Sequence, residues 1–149
     1  MRLVKLLAVI LICLTPTVPA FAQTMTAEQI LAEGARAQKS KDYKKALEYY
    51  TAAAELGNAS AQMMVSTIYG TDMFGLGKNK KLGLYWLKKA AAQGHKESQY
   101  LLAMQYDGGI GVAQDQQRAA QLYEGAARQG HTKAAIRLGA MYFKGEGVP

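Results

Sequence analysis

One cysteine, two histidines and three prolines are all that this 149-residue chain holds of those residue types. A lone cysteine excludes a disulfide framework, a cysteine-based zinc finger and a Cys-x-x-Cys redox pair. Two histidines are too few for most metal sites. So little proline beside 15 glycines excludes a proline-rich or collagen-like chain. Acidic residues are also scarce, 11 against 18 basic ones, for a net charge of +7. A hydrophobic content of 50% excludes a disordered charged tail. A membrane-spanning run is missing too. The apolar stretch from Leu6 to Leu14 has 9 residues, where a helix needs roughly 20 to cross a bilayer. The length allows one domain and excludes a large multidomain enzyme.

Residues 1–22 carry an address. Arg2 and Lys5 precede the apolar run, and Ala20-Phe21-Ala22 closes it with a small-x-small ending. This order predicts a secretory signal peptide cleaved after Ala22, and therefore a periplasmic or secreted protein with no stable membrane insertion. Cys13 lies inside the segment, and Ile12 before it is too large for lipoprotein processing, so no lipid anchor is expected. The mature chain then has no cysteine. It keeps 16 basic and 11 acidic side chains, a net of +5. Nucleic acid is not an expected partner in that compartment.

The rest of the chain repeats. Ala53-Ala54-Glu55-Leu56-Gly57, Ala90-Ala91-Ala92-Gln93-Gly94 and Ala126-Ala127-Arg128-Gln129-Gly130 share one ending, with glycines 37 and 36 residues apart. Twelve positions after each glycine stands a tyrosine: Tyr69, Tyr106 and Tyr142. Gly75-Leu76, Gly111-Val112 and Gly147-Val148 follow. Between glycine and tyrosine the apolar residues recur at helical spacing. This predicts a helix A over 59–69, 96–106 and 132–142. Small residues hold fixed places in it: Ala61, Ser98 and Ala134, then Ser66, Ala103 and Gly139. They let a neighbouring helix come close.

Helix B is expected over about 80–93 and 116–129. Asn79 and Asp115 are good N-caps. Its buried stripe is Trp86, Leu87 and Ala90, matched by Leu122, Tyr123 and Ala126. Gly94 and Gly130 provide the left-handed turn that ends it, and Asn58, His95 and His131 help to start the next helix A. A further pair, 27–39 and 43–55, precedes these units. Seven helices with no strand signal predict an all-α fold, an α-solenoid of antiparallel helix pairs that share one continuous core.

Leu138-Gly139 with Tyr142, Gly145-Glu146-Gly147-Val148, Asp115, Arg118-Ala119, Trp86 and Ala126-Ala127 with Gly130 resemble the Sel-one-like repeat, a branch of the tetratricopeptide superfamily. The likeness covers about 40–149. Within 23–57, Gly34, Asp42, Tyr43, Ala46, Tyr50 and Ala53 look more like an ordinary tetratricopeptide pair. Residues 58–149 then hold the Sel-one-like repeats, the last incomplete. Gly70-Thr71-Asp72-Met73-Phe74 and Gly83, in place of the helix B alanine, depart from the pattern. The resemblance implies a protein–protein adaptor or scaffold, acting in envelope assembly, cell-wall processes or host interaction. Some cysteine-rich relatives are linked to β-lactam binding or hydrolysis. Their cysteines are missing here, so that activity is not carried over.

Chemical motifs are few. His95 and His131 occupy one position of successive repeats, so stacking holds them about 8–10 Å apart, too far to share a metal. Gly108-Gly109-Ile110-Gly111 follows a helix rather than the strand that a phosphate loop needs. The carboxylates are scattered, and no strained nucleophile turn is present. No catalytic residue, metal site or cofactor is expected. Lys78, Lys80, Lys81, Lys88 and Lys89 form the densest basic run, suited to an anionic cell-wall polymer or simply a solvated face. In such repeats helix A lines the concave surface. Positions 7 and 10 after the repeat glycine are free of the packing pattern. They are Met64 and Thr67, Leu101 and Met104, Arg137 and Ala140. Methionine suits adaptable binding surfaces, so these six are the expected contacts to a protein or peptide. Ordinary packing between repeats is the competing reading.

The last unit stops where the pattern continues into helix B. Ile136, Leu138, Tyr142 and Phe143 are expected to leave much of their surface wet; either the sequence is a fragment, the favoured reading, or self-association or a partner covers the end.

Overall fold

A computed structural model describes residues 25–148. The predicted signal segment, residues 1–22, lies outside the described residues. Seven helices follow one another: α1 (Ala27–Lys39), α2 (Tyr43–Glu55), α3 (Ala59–Thr71), α4 (Lys80–Ala92), α5 (Lys96–Gly108), α6 (Gln116–Arg128) and α7 (Thr132–Lys144). No strand occurs among the described residues. Each helix packs mainly on the helices before and after it, as a solenoid requires. The odd-numbered helices are the A helices, the even-numbered ones the B helices. The A helices run about two residues beyond their repeat tyrosine, because that tyrosine sits inside the last turn.

A side chain caps every helix at its N-terminus. Thr26 forms a capping box with Gln29, and Asp42, Asn58, Asn79 and Asp115 each accept from the backbone N–H three residues on. These bonds satisfy donors that a helix start otherwise leaves bare. The B helices end as expected, with Gly57, Gly94 and Gly130 at φ 91°, 82° and 81°. The A helices α5 and α7 end on left-handed Gly109 and Gly145. In α3 the same place holds Asp72, at φ 60°. Its carboxylate accepts from the Gly77 N–H at 2.8 Å. That local bond lets a non-glycine residue hold this conformation. The irregular loop therefore keeps the shared turn. Phe74 buries itself there and stacks on Tyr43 at 4.7 Å.

Small residues bring the paired helices together. Ala61, Ser98 and Ala134 are fully buried, as are Ala46 and Ala119 of the B helices. Gly83 stands at the Ala46 and Ala119 position. A Cβ there would lie 3.0 Å from the Ser66 carbonyl oxygen and 3.0 Å from the Gly70 nitrogen. The departure from the repeat pattern thus lets the α4 backbone lie close against that of α3. A Cβ on Gly34 would meet the Tyr50 ring at 2.7 Å. Around these contacts the large side chains collect in two clusters. One runs from Ile30 through Val65 and Ile68 to Trp86, the other from Leu87 through Leu102 and Tyr123 to Met141. In the last unit Ile136, Tyr142 and Phe143 are 67%, 56% and 92% exposed, while Leu138 is half-buried on the second cluster.

Two buried tyrosines sit at one repeat position. The Tyr50 hydroxyl donates to Gln38 Oε1 at 2.6 Å. Tyr123 takes the same place in α6, with Asp107 where α1 has Gln38. Burial, and then the Asp107 carboxylate, push the Tyr123 hydroxyl from the ordinary 10.0 up to about 12. Burial raises Tyr50 as well.

Gly83→Ala is expected to destabilise the chain by about 1–3 kcal/mol through overpacking, although alanine is the better helix former by about 1 kcal/mol. Gly139→Ala in α7, with nothing within 4 Å of its added Cβ, is expected to stabilise. Urea unfolding of both variants checks the opposite signs. The raised Tyr123 sets a second expectation. Its stabilisation is complete below the unfolded-state value of 10.0 and is lost as pH rises toward about 12, because the unfolded chain releases its proton first. Tyr123→Phe should therefore lose less stability than the parent across that window in urea unfolding against pH.

Candidate functional site

Positions 7 and 10 after each repeat glycine lie three residues apart, so both point from one side of their helix. The structure places Met64 and Thr67 on α3, Leu101 and Met104 on α5, and Arg137 and Ala140 on α7. Met64 is half-buried and packs on the first core cluster, while Leu101 and Met104 are half-buried on the second. Thr67 is half-buried, and its hydroxyl donates to the Met63 carbonyl at 3.1 Å. Arg137 and Ala140 are exposed. The side chains in α3 and α5 thus serve the packing and still reach solvent, and those in α7 are open.

Contacts that sequence reasoning passed over link α5 to α6 and to the start of α7. Tyr100 precedes Leu101 and stacks on the His131 ring at 4.3 Å. Its ring also lies 5.9 Å from that of Tyr123. Asp107 and Arg137 act on the Tyr123 hydroxyl in opposite senses, the carboxylate raising and the guanidinium lowering its proton affinity. The available signal was position: Tyr100 is one residue from Leu101, and Asp107 one turn beyond Met104.

The histidines are helix caps. His95 Nδ1 accepts from the Ser98 N–H at 3.4 Å and lies 3.0 Å from the Ser98 hydroxyl. His131 Nδ1 accepts from the Ala134 N–H at 3.2 Å. Both rings use Nδ1 at their own helix start. Among the described residues no three His, Cys, Asp or Glu side chains gather in a metal-binding group. Gly108-Gly109-Ile110-Gly111 is the end of α5 and the turn that follows it.

A ladder of glutamines was not foreseen. Gln62 of α3 is buried and donates through Nε2 to the Ala54 carbonyl at 3.0 Å. Gln93, at the end of α4, donates to Gln62 Oε1 at 2.7 Å. One unit later, Gln129 donates to Gln99 Oε1 at 3.0 Å and to the Gly94 carbonyl at 2.8 Å. In α3 these bonds reach both the B helix before it and its own partner, and in α5 the bond reaches its partner.

The architecture is that of a helical-repeat protein whose units stack in sequence order. A family model described as "Sel1 repeat" matches residues 20–58, 59–95, 96–131 and 132–149, and the chain belongs to that family. The first match includes the helix pair read above as closer to an ordinary tetratricopeptide unit. The chain is 38% identical over 96 residues to chitin synthase regulatory factor 3 of Schizosaccharomyces pombe, an alignment covering 64% of this chain and 10% of that protein. Its fold is similar to the crystal structure of a Sel1 repeat protein from Oxalobacter formigenes. The TM-score is 0.79 and the identity 31%, over 86% of this chain and 38% of that one. A protective antigen of uropathogenic Escherichia coli strains, displaying an SLR fold, is similar with a TM-score of 0.68 and 31% identity. That match covers 79% of this chain and 26% of that one. The chain spans only a minor part of the length of each. Sel1 repeat proteins are generally scaffolds for protein interaction and typically not enzymes.

Proposed function

We propose that this chain is an exported adaptor that holds a segment of a protein partner along the face built by α3, α5 and α7. The observation that carries the reading is the half-burial of Met64, Leu101 and Met104 on one side of successive A helices. Packed apolar side chains that keep part of their surface wet gain free energy when a partner covers them. Methionine adapts its shape to varied partners. Export rests on the basic start, the short apolar core and the Ala20-Phe21-Ala22 ending. Among the described residues no helix is long and apolar enough to cross a membrane.

A second reading rests on α4. Lys78, Lys80, Lys81, Lys88 and Lys89 are all exposed and form no ion pair among the described residues. No acidic residue stands between Asp72 and Glu97. Lys89 lies over the Tyr85 and Trp86 rings, at 4.9 and 5.2 Å from their centroids. Such a patch suits an anionic polymer of the cell envelope.

Two measurements separate the readings. Met64→Glu combined with Met104→Glu is expected to abolish crosslinking of the native partner while far-UV circular dichroism stays unchanged. Loss of helicity instead would assign these residues to the core. Capture through the apolar face should change little with salt. Capture through the lysines should weaken steeply as the Debye length shrinks from about 10 Å at 0.1 M to about 3 Å at 1 M.

A further inference from the structure

A depression of about 460 Å³ opens beside α2, away from the six positions of the A-helix face. Its floor is apolar, formed by Leu47 of α2, Tyr69 at the end of α3 and Leu76 in the loop before α4. Its rim carries Lys44, Glu48 and Glu55, spaced along one side of α2. The same place recurs two repeats later, beside α6. Gln117, Ala120, Gln121 and Glu124 stand there for Lys44, Leu47, Glu48 and Thr51, and Tyr142 and Val148 for Tyr69 and Leu76, around a smaller space of about 120 Å³. The depression is thus a product of the stacking, and its side chains are what differ between units.

The charge is the unusual part. Glu48 and Glu55 form no ion pair among the described residues, and neither does Lys44, four residues before Glu48. Glu55 lies in the last turn of α2, which holds no basic residue. The helix dipole disfavours a carboxylate there. At the equivalent place of α6 stands Arg128, which suits the dipole and pairs with Glu124 at 2.6 Å. The first unit therefore keeps, at a local cost, two free carboxylates around an apolar floor on a chain of net positive charge.

We infer that this depression binds a peptide segment presenting an aliphatic side chain next to a lysine or arginine. The aliphatic group enters between Leu47, Tyr69 and Leu76, and the cation reaches Glu48 or Glu55. The site is separate from the face proposed above.

The test titrates the isotope-labelled full chain with three acetylated hexapeptides, Gly-Ser-Leu-Lys-Ser-Gly and the comparators with serine for leucine or glutamate for lysine. The methyl signals of Leu47 and Leu76 report binding. The leucine–lysine peptide is expected to bind at least about tenfold tighter than either comparator, equivalent to about 1.4 kcal/mol. Glu48→Gln with Glu55→Gln should abolish the preference for lysine over glutamate. Thr51→Trp, which fills the opening from α2, should abolish binding of the leucine–lysine peptide with helicity retained. Met64→Glu with Met104→Glu should leave these titrations unchanged, so failure here and failure of the A-helix face are distinguishable. Equal binding of all three peptides, or no shift of the two methyl signals at millimolar peptide, overturns the inference.

Discussion

Close approach between paired helices is the constraint on which the rest of this structure depends. Where α4 crosses α3, backbone meets backbone, and only the missing Cβ of Gly83 makes room. Ala46 and Ala119 do the same in the units on either side, fully buried. Protein interiors are packed about as densely as organic crystals, so a helix pair held this close decides which larger side chains fit beside it. Tyr50, Trp86, Leu87 and Tyr123 fill the remaining space around those crossings. A unit of this kind cannot cover its own apolar face, and the next unit does so. The two core clusters divide within α4, between Trp86 and Leu87. That single helix closes one core and opens the next.

Much of this was legible because helix starts, helix ends and buried stripes have local causes. An asparagine or aspartate before an apolar period names an N-cap, and a glycine after it names a left-handed turn. Even His95 and His131 follow from position, since they stand where Asn58 stands one unit earlier. What stayed hidden depends on partners distant in the chain. Gln93 and Gln129 read as solvent residues at helix ends, yet their bonds reach Gln62 and Gln99, 31 and 30 residues away. The repeat tyrosines, by contrast, follow the expectation that the last one stays wet. Tyr106 is buried and has Arg118 of the following helix over its ring at 4.8 Å, whereas Tyr142 is 56% exposed. The residue type and position are the same, and coverage by another element decides the difference.

The candidate face was legible in register but not in character. Counting from the repeat glycine identifies which residues share a side of each A helix. It does not say that Met64, Leu101 and Met104 divide their surface between core and solvent. Nor does it bring Asp107 and Arg137 into range of one buried hydroxyl. Such couplings arise from the angle between stacked units, which a linear pattern does not encode.

A fixed scaffold of small buried residues also explains how the surface can vary so freely. At one outward position of the B helices the chain has Glu48, Tyr85 and Gln121, and at another Glu55, Ala92 and Arg128, all on helices of identical length. None of these residues is buried, so exchanging them leaves the crossings untouched. The unit around α2 thereby carries unpaired carboxylates, while α4 carries lysines with no acid between Asp72 and Glu97. Identical units would present the same chemistry at every step and fix no register for a bound chain. Units that share a core but differ in charge do fix one, because a partner displaced by one repeat finds Tyr85 and Ala92 where Glu48 and Glu55 stood. Specificity in a stacked-helix protein of this kind therefore rests on the contrast between adjacent units.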